Sequence, residues 1–159
     1  MELRDFEQLC RESLPAAYEV CRKLGQGRTK LPIPSAEKVY RYMEAHHRGL
    51  AQEQVTVLLL DTKHRLLDEA VVSLGTVGSS VVHPREVFKR ALSTDGCAAI
   101  VLAHNHPSGD AEPSPEDIEM TRRMHKAGRL LGIPLIDHVV CGHGCWVSLR
   151  ERTGAFVDE

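Results

Sequence analysis

Ala98-Ala99-Ile100-Val101-Leu102-Ala103-His104-Asn105-His106-Pro107-Ser108-Gly109-Asp110-Ala111-Glu112-Pro113-Ser114-Pro115-Glu116-Asp117 is the stretch around which the chain is organised. An apolar run leads into two histidines one residue apart, and side chains at i and i+2 of a strand point to the same side. Both imidazoles can therefore reach one ion, while Asn105 between them faces the other side. After a loop containing Pro107, Gly109 and Pro113, Ser114 and Pro115 fit the cap and first position of a helix. Asp117 then sits in the first turn, facing back toward the histidines. A histidine at a strand end is ordinarily just a polar residue; the carboxylate brought by the next helix turns the reading toward a metal. Zinc on three protein ligands keeps a fourth position for water or substrate, which separates a catalytic site from a closed structural one. Two imidazoles and a carboxylate also suit ferrous iron in a facial triad, so iron stays open beside zinc.

Downstream, the helix from Pro115 carries Ile118, Thr121, Met124, Gly128 and Leu131 on one face, with Gly128 allowing close approach. Gly132 and Pro134 stop it, residues 135–140 read as a strand, and residues 146–149 read as its partner after a glycine-rich turn. Upstream, residues 97–103 form the histidine-bearing strand and residues 84–92 a helix entered at Pro84. Residues 55–60 read as a central strand and residues 66–73 as its hairpin partner; Val81 and Val82 read as a third short strand. Gly75 and Gly78 bracket a bend. Ser35 fits the N-cap of a further helix, with Glu37 in its first turn and Gly49 as terminator. The expected order is β-β-β-α-β-α-β-β, an α/β domain with a mixed β-sheet flanked by helices over residues 32–159. Residues 1–31 form a helical N-terminal appendage: apolar positions from Phe6 to Leu24 recur at near-helical spacing, interrupted near Pro15, and a connector rich in glycine and proline follows.

The composition is that of an ordinary globular chain: 159 residues, 42% hydrophobic and 26% charged, enough for one domain with a real core. A net charge of -2 with mixed signs lacks the basic stripe of a nucleic-acid binder. No stretch is long enough to span a bilayer, and the charged start does not resemble a signal peptide. Five scattered cysteines fit reduced thiols, so the expected location is cytoplasmic.

A hydrolytic metal site also needs a base. Glu53, Glu69, Asp61, Asp68 and Asp137 are candidates, with a slight preference for Glu53 just ahead of the strongest apolar strand. Ser114 has two competing roles, helix cap paired with Asp117 or hydroxyl donor to a substrate oxyanion. Asp137 and His138 could support the metal from a neighbouring strand. Cys141, His143 and Cys145 lack a second cysteine pair and read as unrelated thiols, and His46, His47, His64, His83 and His125 as surface or core residues.

With these residues in view, the chain resembles the RadC family of bacterial proteins, which carry the JAMM (MPN+) metallopeptidase motif. That motif is a glutamate on an early strand, then His-x-His, seven residues, Ser, two residues and Asp, matched here by Glu53, His104, His106, Ser114 and Asp117. The RadC character comes from residues 104–109 with Pro113-Ser114, from His83-Pro84-Arg85-Glu86-Val87 and from Asp137-His138. The resemblance spans roughly residues 32–154. It implies a cytidine-deaminase-like JAB/MPN fold, Zn2+ on His104, His106 and Asp117, Glu53 as general acid/base and Ser114 as oxyanion stabiliser. The implied reaction is peptide or isopeptide hydrolysis of a peptide or protein substrate. Relatives usually begin with a helix-hairpin-helix module, of which residues 3–24 can hold at most the final helices, so no DNA association is expected through this domain. A homo-oligomer stays open. The alternative is a non-catalytic, zinc-stabilised binding module in a DNA-repair or stress-associated context. A nucleobase deaminase ranks third, because it needs His-x-Glu and Pro-Cys-x-x-Cys, and neither pattern occurs.

Overall fold

The computed structural model describes Gln8, Glu12, Ala16 and residues 31–33, 35–74 and 82–157. Gln8, Glu12 and Ala16 are helical and Leu31 is buried; the other residues of the expected appendage and the bend at Gly75 and Gly78 lie outside the described residues. Among the described residues the first long helix, α1 (Ala36–His47), is capped as expected by Ser35, whose hydroxyl accepts from the Lys38 N–H. It is followed by β1 (Gln54–Leu60), β2 (Leu66–Leu74), α2 (Pro84–Leu92), β3 (Ala99–Asn105), α3 (Pro115–Leu131), β4 (Leu135–Cys141) and β5 (Trp146–Ser148). A short helix, α4 (Leu149–Arg152), and a 3-10 turn (Gly154–Phe156) close the domain.

The sheet order is β2-β1-β3-β4-β5. β3 and β4 are parallel, and every other pair is antiparallel. Both faces of the sheet are covered. Leu58, Leu60, Val101 and Ala103 pack with Val39, Tyr42 and Met43 of α1, whereas Val57, Leu59, Ile100 and Leu102 pack with Val87 and Phe88 of α2 and Met124 of α3. Burial on both sides explains why residues 57–60 and 98–103 are unbroken apolar runs and not alternating ones. The parallel step from β3 to β4 requires a crossover, which α3 provides.

Local chemistry sets the boundaries. Asp61 closes the β1–β2 hairpin by accepting from the Lys63 and Arg65 N–H groups and the Arg65 guanidinium, which lets His64 adopt φ 54. Gly132 ends α3 in the left-handed region, φ 72. Gly128 does allow the approach its sequence implies: a Cβ there would lie 2.5 Å from the Ile133 carbonyl oxygen.

Two expectations need adjustment. Val82 is a buried coil residue on the α2 side, not part of a third strand, and Val81 lies outside the described residues. Pro84, two positions on, starts α2 and leaves no room for a ladder. The strand expected over residues 97–103 is displaced to Ala99–Asn105, because Cys97 is held in a turn by the Thr94 carbonyl. His104 is therefore inside β3, and His106 lies just beyond its end.

Candidate metal centre

β3 runs between β1 and β4, so its last residues emerge at the middle of one sheet edge. His104, opposite Val55 on β1 and Val140 on β4, continues the face of Ile100 and Leu102 and is 3% exposed. The first turn of α3 lies over this face. The His104 and His106 rings meet edge to face with centroids 4.8 Å apart. Asp117 spans the pair: Oδ1 is 3.1 Å from His104 Nδ1 and Oδ2 is 3.2 Å from His106 Nε2. Glu53 arrives from the segment ahead of β1, with Oε2 3.6 Å from His104 Nε2. One donor atom each from Glu53, His104 and His106 lie within 4.8 Å of one another, which among the described residues is the grouping compact enough to hold an ion. The four residues expected to bind or serve a metal thus come together, Glu53 from some fifty residues upstream of the others; the compact grouping takes in Glu53 and not the expected ligand Asp117, whose two oxygens each face a different ring.

The protonation pattern calls for positive charge between these groups. His106 Nδ1 is 2.8 Å from the Asp110 carbonyl oxygen, which can only accept, so Nδ1 carries the hydrogen. Nε2 then points a lone pair at Asp117 Oδ2, an arrangement that needs a second proton or a cation. The Asp117 carboxylate accordingly raises the His106 pKa, against the opposing effect of burial. For Asp117 itself burial pushes the pKa up, but His104, His106 and the Ser114 N–H together hold it well below the usual carboxylate range. Neither ring nitrogen of His104 makes a hydrogen bond of good geometry, despite its burial between two carboxylates. Bonds of 2.0–2.1 Å in a tetrahedral site put donors about 3.3 Å apart, close to the separations between Asp117 and the two rings. The residues fit a divalent ion that prefers nitrogen and oxygen donors.

Ser114 and Asp117 do not have to choose between capping and chemistry. Ser114 caps α3: its Oγ accepts from the Asp117 N–H at 3.1 Å, while Asp117 Oδ2 accepts from the Ser114 N–H at 2.8 Å. The capping box aims the rest of the carboxylate at the imidazoles. Ser114 Oγ accepts in the box, and its own hydrogen remains available to a further acceptor.

Around this centre the structure sorts the remaining candidates. His138 is fully buried beside His104, with ring centroids 6.0 Å apart. Its Nδ1 meets Thr121 Oγ1 at 2.7 Å, and that hydroxyl donates to the Asp117 carbonyl at 2.6 Å. β4 is thereby tied to the turn that carries Asp117. Burial, then the neighbouring His104, lowers the His138 pKa to about 3, so the ring is neutral. Asp137 faces the other way, accepting from Ser148 Oγ and the Arg150 N–H, and braces β4 against β5 and α4. Glu69 is bound to Tyr42 and His46, Asp68 to Arg90, and Asp61 to Arg65. Cys141 is buried in the α1-side core, where burial pushes its thiol up to about 12, and Cys145 is exposed with Sγ 3.4 Å from the Gly109 carbonyl oxygen. Thr121 and the Asp110 carbonyl escaped the sequence reading. Thr121 had one usable signal, its position one helical turn after Asp117; a backbone acceptor leaves none.

Asn105 points away from the imidazoles, as its place in the strand requires. Its side chain accepts from the Gln54 N–H at 2.7 Å and donates to the Gln52 carbonyl at 3.0 Å. On the α1 side, Tyr40, His47, Leu50, Pro107 and His143 help line a cleft of 360 Å³ that none of Glu53, His104, His106, Ser114 and Asp117 lines. Among the described residues, no helix is long and apolar enough to cross a membrane.

Comparison with known proteins agrees with this picture. Residues 33–154 match the family described as the RadC-like JAB domain. A UPF0758 protein of Shouchella clausii is 45% identical over 142 residues, covering 87% of this chain and 61% of the relative. A UPF0758 protein of Methanococcoides burtonii is likewise 45% identical, over 141 residues and the same shares. One from Chloroflexus aggregans is 40% identical over 163 residues, covering 96% of this chain and 71% of the relative. The chain thus spans about three fifths of the length of the first two.

Proposed function

Since the chain belongs to the RadC-like JAB domain family, we propose that it is a zinc-dependent metallohydrolase that cleaves an amide bond in a peptide or protein, as a peptidase or isopeptidase. The observation that carries the reading is the convergence of Glu53 with His104, His106 and Asp117 at one sheet edge. His104, His106 and Asp117 would hold the ion, leaving Glu53 outside the ligand set. When bound, zinc acidifies water and polarises a carbonyl oxygen.

Glu53 would accept the proton of the attacking water and return it to the departing nitrogen, so that a C–O bond forms, the C–N bond breaks and the products are a carboxylate and an amine. Its side chain is 48% exposed, which suits a base that must meet water and substrate. Ser114 Oγ–H would donate to the oxygen that gains negative charge. His106 is held in the tautomer that leaves Nε2 as the donor to the ion, because Asp110 fixes Nδ1–H. The fit of two imidazoles and a carboxylate supports zinc over softer or all-oxygen ions.

The test is metal content by mass spectrometry together with cleavage of a peptide library by wild type and Glu53→Gln. Stoichiometric zinc in both and cleavage only by wild type is the expected result. Zinc in both with equal cleavage removes Glu53 from the chemistry, and zinc with no cleavage by either leaves a metal-stabilised binding module.

A further inference from the structure

We infer that Asn105 is the positioning residue for the proposed base, its side-chain amide clamping the peptide groups on both sides of Glu53. The inference rests on the reading of Glu53 as the base. The ladder between β1 and β3 ends at the pair Val55 and His104, so Glu53 lies beyond the last cross-strand pair. Its position there is not secured by its own carboxylate, because the approach to His104 Nε2 is 3.6 Å, longer than a hydrogen bond. The backbone on either side is secured instead. Asn105 Oδ1 accepts from Gln54 N–H at 2.7 Å, the donor of the peptide bond after Glu53. Asn105 Nδ2 donates to Gln52 O at 3.0 Å, the acceptor of the peptide bond before it. One planar group thus fixes both peptide units that set the direction of the Glu53 side chain.

The clamp needs asparagine for definite reasons. One donor and one acceptor must sit on the same short side chain; aspartate lacks the donor, and glutamine adds a methylene with no room to place it. Asn105 is 4% exposed, so leaving its amide or the two peptide groups unpaired would be costly. Its backbone is paired with Cys141 on β4. The same residue therefore sits between the two histidines, joins β3 to β4 through its main chain and holds Glu53 through its side chain. A single strand position couples the distance from base to imidazole, which explains how a half-exposed carboxylate ahead of a strand can be preorganised.

The experiment is a double-mutant cycle on the full chain with Asn105→Ala, Glu53→Gln and both, read by kcat and KM on a cleaved peptide, by zinc stoichiometry and by NMR exchange of the Gln54 amide in metal-free protein. Asn105→Ala is expected to keep zinc, to lower kcat about 10- to 100-fold with KM little changed, and to speed Gln54 exchange. In the Glu53→Gln background it should cost nothing further. Asn105→Asp, which keeps the acceptor and loses the donor, should keep Gln54 protected and fall between wild type and Asn105→Ala; it serves as the folded variant if alanine is not tolerated. Unchanged Gln54 exchange in Asn105→Ala, loss of zinc, or a rate loss that multiplies with that of Glu53→Gln overturns the clamp with the hydrolase reading intact. Absence of cleavage by wild type overturns the hydrolase reading, while the exchange measurement still decides whether the amide holds this backbone.

Discussion

Asp117 and Glu53 approach the same imidazoles, one from the first turn of α3 and the other from the segment ahead of β1, and they are held by different means. Asp117 is buried, locked into a capping box with its neighbour Ser114 and placed against two rings. Glu53 is half-exposed, lies outside regular structure and takes its position from Asn105, far away in the chain. Under the proposed hydrolase reading, the contrast separates a ligand, which must be rigid and desolvated, from a base, which must reach water and release a proton. It also separates short-range from long-range determination.

The largest effect should come from the rigid side of this pair. Asp117→Ala removes the carboxylate facing both rings and half of the capping box; zinc content should drop to background, cleavage should vanish, and calorimetry should show a lower Tm. Next comes Glu53→Gln, with zinc and Tm retained but kcat reduced about 10²- to 10⁴-fold, the usual contribution of a positioned acid/base. If both variants lose zinc alike, the division into ligand and base is wrong.

Ser114→Ala should be milder. Loss of the cap costs about 1 kcal/mol, measurable by urea denaturation, and an added fall in kcat at unchanged zinc content would reveal the hydroxyl as an oxyanion donor. A stability loss with kcat intact would restrict Ser114 to its helix.

The smallest effect concerns Asp61, a carboxylate bound locally but remote in role. Burial pushes its pKa up, yet the Arg65 and Lys63 hydrogen bonds and the Arg65 charge outweigh this and hold it at about 2, below its ordinary 3.8. A depressed folded-state pKa gives stability that is complete above the ordinary value and is lost as pH falls through 3.8 toward 2. Denaturation curves from pH 6 to pH 2 should therefore be flatter for Asp61→Asn than for wild type over that window. Equal slopes would show that the hairpin turn gains nothing from the charge.

How far the sequence can be read follows the same division. His104, His106, Ser114 and Asp117 fall within fourteen residues, and strand alternation plus a capping signature suffices to aim them at one point. The helices opened by Ser35, Pro84 and Pro115 were legible because caps and proline act over three or four residues. Val82 misled because its burial comes from packing against α2 and not from strand pairing, and both produce the same apolar letter. Asp137 and His138 are adjacent, yet only His138 reaches the centre, since successive strand residues face opposite ways and the register on β3 selects which.

By itself, then, the sequence determined the α/β pattern, the helix starts and the histidine–carboxylate cluster, all features that arise from neighbours along the chain. The residues alone left Glu53, Glu69, Asp61, Asp68 and Asp137 open, and the family resemblance favoured Glu53; the tertiary structure puts Glu53 beside His104, and it alone decided that Thr121 joins His138 to Asp117 and that Asn105 grips the backbone around Glu53. Those outcomes depend on strand order and register, which bring β1 alongside β3 across some fifty residues of chain. Pairing over such a separation is selected by burial of both sheet faces together, a free energy that no local stretch contains.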